Sequence, residues 1–281
     1  MNTYVEKLKE SKDYIKSVIK QHCDVGQYPK ALIVLGSGLG NFSEAFSEKV
    51  VIPFESIPHF PAPSVSGHSG KIVLVKENNK FFLLQSGRLH YYEGHSFDSI
   101  LHPIRCIRML GLDKLILTNS AGSLNPNFKP GDLVTIKDHI NFSGVNPLVG
   151  ENLTELGVRF PDMSKVYNPE LMAKLQSSAK ELEVGLHTGT YFNVSGPSYE
   201  TPAEVKLFFR LGGDMVGMST VPEAIAAKHC GYDVLGISCI TNYGAGLRDD
   251  ELTHEDVQVQ AAKVTAKFSK LVKHFILNHI S

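Results

Sequence analysis

Six short apolar runs, rich in β-branched residues, leave this chain few folds to choose from. They are ALIVL (31–35), FFLLQ (81–85), LILT (115–118), TYFNV (190–194), MVGM (215–218) and VLGISCI (234–240). Runs of this length without polar alternation are the pattern of strands buried on both faces. Helical periodicity brackets them. Val5, Leu8, Ile15, Val18 and Ile19 mark an amphipathic helix at the start, and Val257, Ala261, Val264, Phe268, Leu271 and Phe275 mark another at the end. Two capping boxes, Thr201 with Glu204 and Thr220 with Glu223, start helices between the later strands, and Gly212 and Gly231 can end them. This alternation predicts an α/β fold: a central, mixed, twisted sheet flanked by helices. With 281 residues, 42% hydrophobic, and no repeats, low-complexity tracts or linkers, the expectation is one domain over residues 1–281.

Charge narrows the partners. Lys and Arg number 28 against 29 Asp and Glu, a net charge of -1, which offers no electrostatic footprint for nucleic acid or an anionic membrane. Cys23, Cys106, Cys230 and Cys239 form no C-x-x-C pair and read as small apolar residues. Neither a signal peptide nor a long apolar run is evident, so a reduced, cytoplasmic location is expected.

Polar residues stand just beyond the strands: Ser37; Arg88 and His90; Asn119 and Ser120; Tyr199 and Glu200; Ser219; Thr241 and Asn242. Ligands of open α/β sheets sit beyond the carboxyl ends of the strands, so these residues should converge on one crevice.

Several stretches suggest what that crevice holds. In GSGLG (36–40) the glycines fit neither the dinucleotide fingerprint, since Asn41 takes the third glycine's place, nor the P-loop, since no Lys follows Gly40. An anion-binding turn and an ordinary tight turn both remain open. In SGRLHYYEGHS (86–96), an extended strand would put Arg88, His90 and Tyr92 on one face and Leu89, Tyr91 and Glu93 on the other. Arg88 and His90 then form an anion clamp, unless that face is merely solvated. Glu200, before a helix cap, is a fixed acceptor, and Asn242 both donates and accepts; together they suit a 6-oxopurine edge, although an N-cap Glu and a turn Asn are the plainer alternatives. Residues 240–257 read as a glycine-containing lid returning into a helix near His254. Metal-ligand spacing and a G-x-S-x-G elbow are both lacking.

GSGLG, SGHSG, GRLHYYEG, TNSAGSLNP, DHINF, RFPDMS, GPSYETPAE, VGMSTVPE, TNYGAG and THEDV occur in this order, and with them the chain resembles the trimeric class of purine nucleoside phosphorylases, leaning toward bacterial members through Tyr243 and YGAGL. The resemblance implies phosphorolysis of 6-oxopurine (deoxy)ribonucleosides, inosine and guanosine, with inorganic phosphate as co-substrate, no cofactor, no metal and a homotrimer. It further implies phosphate on Ser37, His68, Arg88, His90, Ser120 and Ser219. Tyr92, Met218 and His254 would line the sugar, with Phe160 from a neighbouring subunit. Gly122, Tyr199 and Val216 would surround the base, and Glu200, Thr241 and Asn242 would bond its edge. His90, Glu200 and Asn242 are the groups it assigns to catalysis. Ser120 and Tyr199 depart from the vertebrate pattern, which has Ala and Phe, without removing a required group. A methylthioadenosine phosphorylase would carry Asp at position 242 and an apolar residue at 254. A non-catalytic nucleotide-binding protein would have no use for Arg88, His90, Glu200 and Asn242 together, and a sugar kinase would need an ATP motif.

Overall fold

The structure, a computed structural model, describes residues 3–23, 27–61, 70–248 and 254–280. Helix α1 (Thr3–His22) leads into β1 (Pro29–Val34), β2 (Glu48–Pro53), β3 (Lys71–Glu77) and β4 (Lys80–Ser86). There follow α2 (Phe97–Arg108), β5 (Lys114–Ser123), β6 (Leu133–Asn141), α3 (Pro169–Glu181), β7 (Leu186–Asn193), α4 (Pro202–Arg210), β8 (Met215–Gly217), α5 (Val221–His229), β9 (Asp233–Tyr243) and α6 (His254–His279). The strands form one mixed sheet in the order β2-β3-β4-β1-β5-β8-β7-β6-β9. Because β9 also pairs with β5, strands β5 to β9 close into a small barrel at one end.

Side-chain alternation explains why the strand sequences look uniformly apolar. Leu32 and Val34 of β1 and Leu115 and Leu117 of β5 meet α1, α2 and α5 through Leu8, Ile15, Ile19, Ile104, Ile107 and Ala224. Ala31, Ile33 and Ile116 point the other way, onto α3 and α6 through Leu171, Leu175, Phe268, Leu271 and Phe275. With helices on both faces, neither side of these strands can be polar.

All six expected strands form, and α4 and α5 stop just before the expected glycines. Three strands, β2, β3 and β6, and two helices, α2 and α3, are additional to those expected from the sequence. β3 and β4 form a hairpin whose turn residues, Asn78 and Asn79, both have positive φ (49° and 58°). That is the primed hairpin geometry, and the Asn-Asn pair was its signal. β2 lies at the sheet edge with charged residues exposed. α2 contains Pro103 and buries the polar His102 and Arg105, which blurs its apolar stripe.

His102 supplies a test of this packing. The Ser11 hydroxyl lies 2.5 Å from Pro58 O and accepts from His102 Nε2 at 2.8 Å, tying α1 to α2 and to the segment at Pro58. Burial, reinforced by the nearby charges of His59, Arg105 and Lys7, pushes the imidazole down to about 4. The folded state therefore refuses a proton that the unfolded chain takes below its ordinary value of 6.5. Stability contributed by the neutral ring is intact above that pH and is lost as pH falls from 6.5 toward 4, by up to about 3 kcal/mol. Urea unfolding of His102→Gln should show a correspondingly shallower acid slope than the parent protein. Identical slopes would exclude His102 as the group.

Candidate active site

The residues beyond the strands do converge. Ser37, Arg88, His90, Tyr92, Asn119, Ser120, Gly122, Tyr199, Glu200, Val216, Met218, Ser219, Thr241 and Asn242 line one open cleft, joined by Ala121 and Gly217. They come from the ends of β1, β4, β5, β7, β8 and β9. Their separation in sequence reaches across most of the chain.

The glycine turn after β1 is a matter of close approach. A Cβ on Gly36 would lie 2.6 Å from Asn119 Cα and 2.8 Å from Thr118 O, so only glycine lets the turn press against β5. The Gly36 amide donates to Thr118 Oγ1 at 3.0 Å. Gly38 then reverses the chain at φ +77°, and the Ser120 hydroxyl donates to Ser37 O at 3.0 Å. The turn is thereby fastened where Ser37 enters the cleft.

Residues 86–96 depart from the expected extended strand. β4 ends at Ser86, Gly87 follows at φ +90°, and Tyr91–Glu93 form a short 3-10 turn. Glu93 does not point away from His90. Its Oε1 accepts from the His90 amide and from His90 Nδ1, both at 2.8 Å. The carboxylate bridges its own turn and, since it can only accept, assigns the ring proton to Nδ1. Tyr92 stacks on the His90 ring, 4.8 Å between centroids and 13° from parallel. Arg88, His90 and Tyr92 still reach the cleft together. Burial, with the Glu93 charge behind it, raises the Tyr92 phenol to about 12, so it remains neutral.

Arg88 is held from two sides. Its Nε donates to Glu223 at 3.0 Å and its Nη1 to Ser219 Oγ at 3.3 Å. Both side chains of the Arg88–Glu223 pair are only 3% exposed. Nη2 is buried with no partner among the described residues, a donor that an oxyanion in the cleft would satisfy. Sequence reasoning missed Glu223 in this role, having read it only as half of a capping box.

Ser219 sits on a strained turn. Thr220 has φ +71° and ψ -48°, and Val221 N donates to Ser219 O at 2.7 Å. This is a γ-turn of the rare positive-φ kind, for a β-branched residue a cost of about 1–3 kcal/mol. Asn119 Nδ2 donates to Thr220 Oγ1 at 2.9 Å, and Thr220 N donates to Glu223 Oε2 at 3.1 Å.

At the other end of the cleft, the register of β5 and β9 slips between Ala121 and Gly122: Ala121 faces Ile240, but Gly122 faces Asn242. Thr241 is the extra residue of a β-bulge. In a regular strand Thr241 and Asn242 would take opposite faces; the bulge brings both into the cleft. The Thr241 hydroxyl lies 2.9 Å from Asn242 Oδ1, and Asn242 Nδ2 donates to Tyr243 O at 3.0 Å. A Cβ on Gly122 would come within 2.9 Å of Asn242 Nδ2, so this glycine makes room for the amide. Burial raises the Glu200 carboxyl above its usual range, and the Tyr199 phenol likewise. Phe160 is 87% exposed and away from the cleft. His68 and the side chain of His254 lie outside the described residues.

Residues 30–277 match the family model described as the phosphorylase superfamily. The chain is 46% identical over 250 residues to purine nucleoside phosphorylase 1 of Geobacillus stearothermophilus, covering 89% of this chain and 91% of the relative. It is 44% identical over 272 residues to purine nucleoside phosphorylase 1 of Bacillus subtilis (strain 168), covering 97% and 100%. Among solved structures, Schistosoma mansoni purine nucleoside phosphorylase in complex with inosine superposes with a TM-score of 0.90 at 34% identity, covering 98% of this chain and 96% of that one.

Proposed function

The chain belongs to the phosphorylase superfamily and, within it, to the purine nucleoside phosphorylases, and on that footing we propose that it catalyses reversible phosphorolysis of 6-oxopurine ribo- and deoxyribonucleosides, inosine and guanosine, in purine salvage. The observation that carries this reading is the meeting in one cleft of Arg88 and Ser219 with Glu200 and Asn242. The first pair suits an oxyanion, the second a purine edge, and the space between suits a pentose.

In the proposed reaction, phosphate attacks the anomeric carbon as the bond to the base breaks, with inversion. Ser37, Arg88, His90, Ser120 and Ser219 hold the phosphate, with His68 closing over it. The oxocarbenium-like pentosyl group lies between that anion and the departing base, flanked by Tyr92, Met218 and His254. Phosphate stabilises the cation from one face while the Asn242 amide donates to the base as negative charge gathers there. Glu200 accepts N1–H, Thr241 supports the base edge, and Gly122, Tyr199 and Val216 enclose it. Holding both reactants in line contributes the rest. Inorganic phosphate is a co-substrate and no metal or organic cofactor takes part in this scheme.

The test is phosphate-dependent release of base from inosine, guanosine, adenosine and methylthioadenosine. Inosine and guanosine should be cleaved and the 6-amino nucleosides poorly. Phosphate-independent cleavage, or preference for methylthioadenosine, would overturn the reading.

We read residues 1–281 as one domain, working in the cytoplasm as a homotrimer in which a neighbour's exposed Phe160 completes the sugar site. Head-to-tail contacts of that kind close a ring. Light scattering should give about 93 kDa, three times the 30.9 kDa of the chain, and Phe160→Ala should raise the nucleoside KM without moving the phosphate KM. A fully active monomer would refute this arrangement.

A further inference from the structure

Glu223 does not line the cleft, yet the residues that do are organised around it. Its carboxylate takes Arg88 Nε at 3.0 Å and Thr220 N at 3.1 Å. The Thr220 hydroxyl lies 3.1 Å from Ser219 Oγ, which accepts from Arg88 Nη1 at 3.3 Å. The contacts therefore form a closed circuit, Arg88 to Glu223 to Thr220 to Ser219 and back to Arg88. Arg88, Glu223 and Thr220 are all buried.

We propose that Glu223 is a positioning residue of the phosphate clamp, a role that rests on the phosphorolytic reading above. One carboxylate fixes the direction of the Arg88 fork by occupying its Nε edge, which leaves Nη2 to meet the oxyanion. The same carboxylate holds the amide of Thr220 and so the strained turn that carries Ser219. A guanidinium without this anchor would have to lose its rotamer freedom when phosphate binds, and affinity would fall accordingly. Pairing also keeps a buried cation compensated while phosphate is away.

The parent protein is first examined for binding of inorganic phosphate by calorimetry and for phosphate-dependent cleavage of inosine. Failure of both overturns the phosphorolytic reading and the proposal with it. With the parent active, Glu223→Gln keeps the shape but turns an N–H toward Arg88 Nε or Thr220 N. It should raise the phosphate KM and the calorimetric phosphate Kd by roughly tenfold or more, while the inosine KM stays within about threefold. Glu223→Asp keeps the charge and should recover part of the loss; it carries the same comparison if the Gln variant fails to fold. Wild-type phosphate constants in a folded variant overturn the proposal. So does a parallel rise in both substrates' constants with a lowered Tm, which is what a merely structural role would give.

Discussion

Arg88→Ala is expected to lose about 2–4 kcal/mol of transition-state stabilisation, a fall of roughly 30- to 1,000-fold in kcat/KM for phosphate. The lost contact is a charged fork, buried except for the cleft it faces, with Nη2 unsatisfied among the described residues. The same substitution strips Glu223 of its partner, and a buried carboxylate left unpaired costs about 3–5 kcal/mol of stability. Activity and Tm must therefore be measured together. Arg88→Lys separates the two effects: it keeps a cation near Glu223, but one ammonium cannot reach Glu223, Ser219 and a phosphate at once. The Lys variant should be better folded than the Ala variant and still poor with phosphate. A folded variant of either kind with unchanged phosphate kinetics would remove Arg88 from the site.

Asn242→Asp should turn base preference. The amide can donate to O6 or N7 of hypoxanthine, whereas a carboxylate would face the O6 acceptor of inosine but could accept from the amino group of adenosine. Within the protein, the introduced carboxylate would keep the contact from Thr241 but set an oxygen against Tyr243 O, where the amide now donates. Unpaired polar groups in such a site cost about 1–3 kcal/mol each, so the inosine-to-adenosine ratio of kcat/KM should change by on the order of ten- to a thousandfold. Glu200 limits the swing. It accepts N1–H from inosine but meets a bare lone pair on adenosine unless it is protonated. Because burial raises its pKa, activity on inosine should decline on acidification at a pH above the usual carboxylate range, and less steeply on adenosine in the Asp variant. If the variant folds with the parental substrate ratio, Asn242 does not read the base.

Much of this was legible one-dimensionally, and for identifiable reasons. A strand covered on both faces must be apolar throughout, so β1, β4, β5 and β9 were visible as unbroken runs. The amphipathic stripes of α1 and α6 and the cap residues of α4 and α5 are local signals as well. One rule of parallel sheets accounts for the residues just past β1, β4, β5 and β9, which run parallel and share a rim. β7 and β8 run antiparallel to β5, so Tyr199, Glu200, Met218 and Ser219 reach the cleft through the closure of the sheet rather than through that rule.

What escaped depends on contacts between residues far apart in the chain. Glu223 and Arg88 are separated by more than a hundred residues, and no local pattern distinguishes a capping carboxylate from one that also anchors a guanidinium. Thr220 looked like an ordinary cap, yet it stands at positive φ, tied by Asn119 from a distant strand as well as by Glu223. The slip between β5 and β9 is likewise invisible in either strand, because a bulge is a property of the pairing rather than of a sequence. Composition and periodicity settle which residues are buried and which strand end they follow. The directions of the Arg88 fork, the Ser219 hydroxyl and the Asn242 amide are settled by hydrogen bonds to partners that only the closed sheet brings within reach.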